Sequence, residues 1–197
     1  MKNGRPRSQK GSSFERGVCA QLSLWWSKGE SDSVFYRTGG SGGRATRRGR
    51  KGKQTVNHCG DVQASDPSGM PLLKLCTIEL KRGFNTATLH DVLDAPAREG
   101  RNVSQKWQQW IDQAIESAKH AGSMGWMIVA RRDKRRAACF MPESVFLPLF
   151  EARETPVAPL LILHPHQIDG TVYGVRLDDL LASVDPDDVR DAVEMNA

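Results

Sequence analysis

The sequence predicts an α/β protein in which a mixed central β-sheet is flanked by helices, with the core order α-β-β-β-α-β. Two segments, near residues 12–28 and 104–121, carry apolar residues at helical spacing. Short strand-like segments lie between and after them, bounded by Gly, Pro and Asp. A chain of 197 residues can bury one hydrophobic core, and its nearly apolar stretches are too short to span a membrane.

The first predicted element is a helix that follows a flexible arm. Residues 1–11 are rich in Gly, Pro and basic side chains, so we expect them to form this flexible basic arm. Ser12 and Glu15 have the S-x-x-E spacing of a capping box, which predicts a helix that starts at Ser12. Its apolar stripe consists of Phe14, Val18, Leu22 and Trp25, and Gly29 ends it.

Three strands and a basic loop are predicted next. Val34–Arg37 is a short strand, followed by a Gly-rich segment and a run of Arg, Lys and Gly that cannot form a packed core. We therefore expect a mobile basic loop over residues 44–58. The segments Asp61–Ala64 and Leu72–Lys81 are predicted strands, and Asp66–Gly69 is a turn signal between them.

The clearest helix is predicted over Ser104–Ala121, where Trp107, Trp110, Ile111 and Ala114 share one face. One of its glutamines could be an active-site residue, but no tyrosine follows at the spacing Q-x-x-x-Y, so all four are interpreted as helix surface. They are Gln105, Gln108, Gln109 and Gln113. The remaining predicted elements are a hairpin, a helix, two strands and an acidic helical end, namely Trp126–Ala130 with Ala137–Phe140, Glu143–Ala152, Leu160–Leu163, Val172–Arg176 and the residues from Leu177.

Charge is distributed unevenly along the chain. Residues 1–60 carry thirteen Lys and Arg against three acids, whereas residues 143–197 carry eleven acids against three Arg. A strongly basic first third favours a polyanionic partner such as nucleic acid, although a solvated basic tail would have the same composition. None of the four cysteines forms a C-x-x-C pair, which argues against a zinc ribbon and favours reduced thiols in a cytoplasmic protein.

The segment with the most chemical information joins Asp61 to Thr77–Lys81. Side chains alternate along a strand, so Glu79 and Lys81 share one face while Ile78 and Leu80 face the core. Antiparallel pairing across the turn would bring Asp61 beside Glu79. Two neighbouring carboxylates suit Mg²⁺ or Mn²⁺, and a lysine beside them can hold a water and offset phosphate charge. Two carboxylates and a lysine are the groups that metal-assisted phosphodiester hydrolysis requires.

The pattern D-x(17)-E-x-K formed by Asp61, Glu79 and Lys81 resembles the PD-(D/E)XK nuclease superfamily, with Gly60 in place of the usual proline. Lys10–Arg16 resembles the K-G-x-x-x-E-R opening of archaeal-type Holliday junction resolvases. Tyr36–Gly43 resembles their R-x-x-G-S-G segment, and Ile78–Lys81 their I-E-C-K strand. The resemblance spans about residues 10–141, apart from the basic insertion between Gly43 and Asp61.

This resemblance implies a restriction-endonuclease-like core over residues 12–141. Residues 142–197 depart from it, and we expect them to form an acidic C-terminal extension packed on the same domain. The resemblance implies a metal-dependent, structure-specific DNA endonuclease, most like a Holliday junction resolvase, that cuts branched or junction DNA in recombination or repair. A phage or mobile element is the expected origin. Asp61 and Glu79 would bind Mg²⁺ or Mn²⁺, Lys81 would assist the attacking water, and Glu15 would be a further acidic catalytic and metal-binding residue. The residues expected to bind DNA are Arg37, Ser41, Arg44, Arg47, Arg48, Arg50, Lys51, Lys53 and Arg82.

Several alternatives stay open at this point. Glu15 could serve only the capping box, Asp61 could be a turn residue, and Glu79 and Lys81 could form a solvated salt bridge. A four-way junction is nearly two-fold symmetric, so cutting it in concert calls for a homodimer. The competing functions are a flap, nicking or restriction-like nuclease, and a non-catalytic nucleic-acid-binding protein with a nuclease-like fold.

Overall fold

The computed structural model describes residues 7–38, 59–83, 106–150, 161–164 and 170–195. The helices are α1 (Arg7–Trp26), α2 (Met70–Leu75), α3 (Lys106–Ala121), α4 (Glu143–Phe150), α5 (Leu177–Ser183) and α6 (Pro186–Met195). The strands are β1 (Phe35–Arg37), β2 (Val62–Ala64), β3 (Cys76–Arg82), β4 (Gly125–Arg131), β5 (Ala138–Pro142), β6 (Leu161–Leu163) and β7 (Val172–Arg176). In these ranges we find no helix with the length and apolar character needed to cross a membrane.

A mixed five-stranded sheet forms the centre, which confirms the predicted α/β class. The strand order is β3-β4-β5-β7-β6. β3 and β4 are parallel, with Glu79 opposite Ile128, and the remaining neighbours are antiparallel. Helix α3 lies between β3 and β4 in the chain, as a parallel pair requires. The predicted hairpin of β4 and β5 is confirmed.

The two faces of the sheet carry separate cores. One face packs against α1, α2 and the three C-terminal helices, and it includes Ile78 and Leu80. The opposite face packs against α3, whose Trp107, Trp110 and Ile111 lie in one cluster with Ile128 of β4. Because both faces of β3 are covered, polar side chains on the α3 face lie below a helix and not on an open surface.

The predicted pairing between the second and third strands is wrong. β2 pairs with β1 in a separate two-stranded sheet, with Tyr36 opposite Gln63. The chain between β2 and β3 forms a 3-10 turn, Pro67–Gly69, and then α2. Two features explain this helical segment. The Asp66 side chain accepts a hydrogen bond from Ser68 N at 2.8 Å, and prolines stand at the first turn of each helical piece.

Helix α1 begins at Arg7, and therefore neither the predicted start at Ser12 nor a capping box at that position is correct. Ser12 and Glu15 both lie inside the helix. The predicted flexible arm accordingly excludes 7–11, while residues 1–6 lie outside the described part of the chain. The predicted loop over 44–58 and the Gly-rich segment from residue 39 also lie outside the described residues.

The acidic C-terminal helices contact the end of α1. Trp25 Nε1 donates a hydrogen bond to Val184 O at 2.7 Å, and Lys28 Nζ lies 2.6 Å from Asp187 Oδ2. The Arg190 guanidinium stands 4.6 Å from the centre of the Trp26 ring. Val189 and Val193 of α6 belong to the same core cluster as α1. The last helices thus complete the core on this face of the sheet.

Candidate active site

Asp61 is fixed against the free edge of β3 by its backbone and its side chain. Its N–H donates to Ile78 O at 2.8 Å, and its Oδ2 accepts from Leu80 N at 2.9 Å. Gly60 permits this approach, because its φ is +79° and an added Cβ would stand 2.7 Å from Ile78 O. The carboxylate of Asp61 therefore takes the place of a strand partner beside Leu80.

Glu79 lies under helix α3 and is 1% exposed. Its Oε2 accepts hydrogen bonds from Lys81 Nζ at 2.8 Å and from Gln113 Nε2 at 2.9 Å. Its Oε1 accepts from Ser117 Oγ at 3.1 Å. A buried carboxylate requires such partners, because an unpaired charge in the protein interior is costly. Three donors thus hold Glu79 in one orientation.

Lys81 shares the strand face of Glu79, as the alternation of side chains predicts, and its side chain is 11% exposed. Its Nζ also donates to Gln113 Oε1 at 3.0 Å. Gln113 therefore binds both members of the Glu79–Lys81 pair through one amide. The interpretation of Gln113 as plain helix surface is wrong. The predicted solvated salt bridge is also wrong, because the pair is buried under α3.

Glu15 faces the same region from α1. Its Oε2 lies 3.3 Å from Arg37 Nε of β1. Thr38, next to Arg37, donates from its N–H to Asp61 O and from its Oγ1 to Gly60 O, each at 3.0 Å. The end of β1 therefore joins Glu15 to the segment that carries Asp61.

Burial dominates the electrostatics of the three acids. It raises the pKa of Asp61, and the Leu80 N–H together with the charges of Lys81 and Arg37 oppose this rise. Burial also raises the pKa of Glu79, against the lowering effect of Lys81, while the Asp61 charge adds to the rise. The pKa of Glu15 is raised by burial too, with Arg37 opposing it and Asp61 adding to it. The Asp61 charge thus acts on both of the other carboxyls.

The donor chemistry of this site fits a hard divalent cation. Asp61 and Glu79 supply carboxylate oxygens, and Mg²⁺ is commonly held by one or two carboxylates with water and substrate phosphate completing its shell. Among the described residues, no group of three or more His, Cys, Asp or Glu is arranged to hold a metal ion. A cation bound by Asp61 and Glu79 would have coordination positions left for water and a substrate phosphate.

The structure brings together four of the predicted site residues, Glu15, Asp61, Glu79 and Lys81, and places Arg37 beside them. Arg82 points away from Lys81, with its guanidinium 6.0 Å from the Phe14 ring and its Nε 3.8 Å from Asp133 Oδ1. The other expected DNA-binding residues lie outside the described part of the chain: Ser41, Arg44, Arg47, Arg48, Arg50, Lys51 and Lys53.

Sequence reasoning assigned Gln113 to the helix surface and missed Ser117 altogether as a member of the site. They stand four residues apart, so they share one side of α3, next to the apolar stripe that includes Ala114. A polar i, i+4 pair at the border of a buried stripe was the available signal. It was weak, because the same pattern occurs on many solvated helices.

Comparison with known families identifies the chain. A family model described as "Phage putative PDDEXK endonuclease" matches residues 6–191, nearly the whole length. No curated protein and no solved structure shows significant similarity to the chain. The match covers the elements that carry Glu15, Asp61, Glu79 and Lys81, as well as helix α5 and the first part of α6. The chain therefore belongs to this family of phage PD-(D/E)XK endonucleases.

Proposed function

We propose that this protein is a divalent-metal-dependent endonuclease that hydrolyses phosphodiester bonds of DNA at the site formed by Asp61, Glu79 and Lys81. The observation that carries the proposal is the placement of two buried acids at β3, Asp61 against its edge and Glu79 on its face, with Lys81 Nζ 2.8 Å from Glu79 Oε2. Family membership supports the reaction class.

Each residue has a distinct task in this proposal. Asp61 and Glu79 would hold Mg²⁺ or Mn²⁺. Such a cation would offset negative charge on the scissile phosphate and lower the pKa of a water molecule. Lys81 is within reach of the same place and would orient the attacking water or contact a phosphate oxygen. Gln113 and Ser117 keep the Glu79 carboxylate in position. Glu15 would hold a water or a second cation from the α1 side.

We further propose branched DNA, such as a four-way junction, as the substrate and a homodimer as the active form. The sequence motifs around Lys10–Arg16 and Tyr36–Gly43 support this choice, because they resemble junction resolvases. Two-fold symmetry of the junction would match two active sites in a dimer. Arg37 and the basic residues of 44–53 would contact phosphates of the arms.

The test is cleavage of end-labelled junction, flap, nicked, duplex and single-stranded DNA by the purified protein, with Mg²⁺, Mn²⁺ or EDTA. We expect cleavage with the metals, none in EDTA, and the highest rate on the junction. Asp61→Asn and Glu79→Gln should each abolish it, because an amide is a poorer metal ligand. Glu116→Gln is a matched control, since Glu116 on α3 has a side chain that is 73% exposed.

The pattern of failure would separate the alternatives. A higher rate on flap or duplex DNA would leave the nuclease intact and reject the junction preference. Binding of DNA without cleavage under any metal would favour a non-catalytic nucleic-acid-binding protein. Cleavage by Glu79→Gln at the wild-type rate would reject the proposed metal site.

A further inference from the structure

A cavity of about 310 Å³ opens beside the candidate active site. Two half-buried apolar side chains of α2, Met70 and Leu73, line one part of it. Buried polar residues line another part, namely Gln63 of β2 and Thr77 of β3. Tyr36 of β1 is also in the lining and is 44% exposed. The cavity therefore combines an apolar wall, hydrogen-bonding groups and one accessible aromatic ring.

The position of this cavity relates it to the proposed cut site. Thr77 and Glu79 lie on the same face of β3, two residues and therefore about 7 Å apart along the strand. Cys59, another lining residue, is separated from Asp61 only by Gly60. The distance between the cavity and the two acids is thus about the length of one nucleotide in an extended strand.

The ring of Tyr36 and the amide of Gln63 form a pair across the β1–β2 ladder. Gln63 Nε2 donates to Cys59 O at 2.8 Å, so the amide is fixed against the segment that leads to Asp61. Directly opposite residues in an antiparallel pair place their side chains on the same face. An aromatic face beside polar groups is the combination by which proteins hold single bases, through stacking and hydrogen bonds.

We propose that this cavity receives one unpaired nucleobase of the DNA strand, next to the phosphate that is cut, with the base stacked on Tyr36. The inference rests on the proposed function and adds a substrate feature to it. A volume near the lower limit of ligand sites suits one base better than a larger group. A base inside a continuous duplex is stacked on both sides and must be unstacked before it can enter, so an unpaired nucleotide at this position, including one at the branch point of a junction, should strengthen binding.

The experiment measures binding of DNA to the full chain carrying Glu79→Gln, in which cleavage is blocked. A 2-aminopurine is placed in turn at each position around an unpaired nucleotide, and its fluorescence and the dissociation constant are recorded. We expect a fluorescence change at one position only. Adding Tyr36→Ala should weaken binding about tenfold, as expected for loss of one base–aromatic stack. Tyr36→Phe should bind like the parent protein, because it keeps the ring.

An abasic site at the responsive position provides the decisive control. On this DNA, the Tyr36→Ala and parent proteins should bind equally, because there is no base to stack. A second variant, Leu73→Phe, fills the cavity and should cause the same loss on intact DNA and none on abasic DNA. Equal weakening on both DNAs, or no weakening on either, would overturn the proposal.

The outcomes also separate this inference from the proposed function. If the wild-type protein cuts DNA but no position responds to Tyr36→Ala, the cavity has another role and the nuclease remains. If the full chain neither binds nor cuts DNA, both proposals fail. Melting temperatures of all variants should match that of the parent, since Tyr36 is partly exposed and Leu73 lines open space.

Discussion

Gln113 Nε2 donates a hydrogen bond to Glu79 Oε2 at 2.9 Å, while Gln113 Oε1 accepts one from Lys81 Nζ at 3.0 Å. One side-chain amide thus bonds to both the acid and the base of the candidate site. Neither a carboxylate nor a lysine could replace it fully, since a carboxylate only accepts and an ammonium only donates. The amide fixes the separation between Glu79 and Lys81 from the side of α3.

This arrangement predicts that Gln113→Leu lowers the cleavage rate with little change in substrate affinity. Leucine keeps the bulk of the side chain, but Glu79 and Lys81 each lose a hydrogen bond. We expect a loss of about ten- to a hundredfold in kcat, in the range of supporting residues around metal ligands. Single-turnover kinetics at saturating DNA would measure it. Gln109→Leu, at an exposed site one turn earlier on α3, should cut at the wild-type rate.

The contacts of Gln113 also explain which parts of the structure could be predicted. The strand face of Glu79 and Lys81 follows from alternation over Thr77–Lys81, so it could be derived from local sequence. The burial of that face could not, because it depends on α3 folding back over β3. The helix α2 was missed for a different reason, since the segment Leu72–Leu75, apolar apart from Lys74, is short enough to fit either a strand or one helical turn.

The start of α1 illustrates another limit of sequence reasoning. The S-x-x-E spacing at Ser12 and Glu15 predicted a cap, yet the helix continues back to Arg7. In contrast, Asp61 was predicted to lie beside Glu79 and does reach β3, although through the turn at Gly60 and not through strand pairing. The candidate residues can be selected by their chemistry alone, whereas the path of the chain depends on long-range packing.

Gly60 is expected to be essential for placing Asp61. Gly60→Ala would put a methyl group 2.7 Å from Ile78 O and 2.8 Å from Thr77 Cγ2, at a φ of +79°. We expect it to cost about 1–3 kcal/mol of unfolding free energy and to abolish most cleavage, because the Asp61 segment must move away from β3. Urea titration and cleavage assays would measure the two effects.

Gly29→Ala is the matched control for this substitution. Gly29 has a similarly positive φ of +95°, but nothing lies within 4 Å of the added methyl group. It should therefore show only the cost of the left-handed backbone, about 1 kcal/mol, with normal cleavage. If the two variants behaved alike, the close contact with Ile78 would not be what positions Asp61.

Asp61→Asn is expected to raise the melting temperature at pH 7 in EDTA. Burial raises the pKa of Asp61 above its ordinary value of 3.8, so ionisation of this group opposes folding. The contribution of the Asp61 carboxyl to stability is fully present below pH 3.8, where the group is protonated, and it is lost as the pH rises through the folded-state pKa. Asparagine stays neutral and can still accept from Leu80 N. The stabilisation should therefore be largest near neutral pH and should vanish towards pH 4.

The same variant should respond differently to metal. Bound cation stabilises only the protein that binds it, so Mg²⁺ should raise the melting temperature of the wild type more than that of Asp61→Asn. Calorimetric scans with and without Mg²⁺ would compare them. A wild type that is already more stable than Asp61→Asn in EDTA at pH 7 would contradict the argument from burial.

Glu15→Gln tests whether Glu15 acts in catalysis. Because α1 begins at Arg7, a cap at Ser12 no longer accounts for this acid, and its described contact is the ion pair with Arg37, 3.3 Å long. That pair is partly exposed, so its loss should change the unfolding free energy by at most about 1 kcal/mol. Glutamine keeps the shape of the side chain while removing its charge.

If Glu15 holds a cation or its water, Glu15→Gln should melt close to the wild type and yet lose at least about tenfold in the single-turnover rate with Mg²⁺. Glu30→Gln, an exposed acid beyond the end of α1, should cut normally. Arg37→Gln separates loss of the ion pair from loss of the Glu15 charge, because it breaks the contact but leaves that charge in place. Equal rates for Glu15→Gln and the wild type would assign Glu15 only to orienting Arg37, and they would remove the residue on which much of the resolvase resemblance depends.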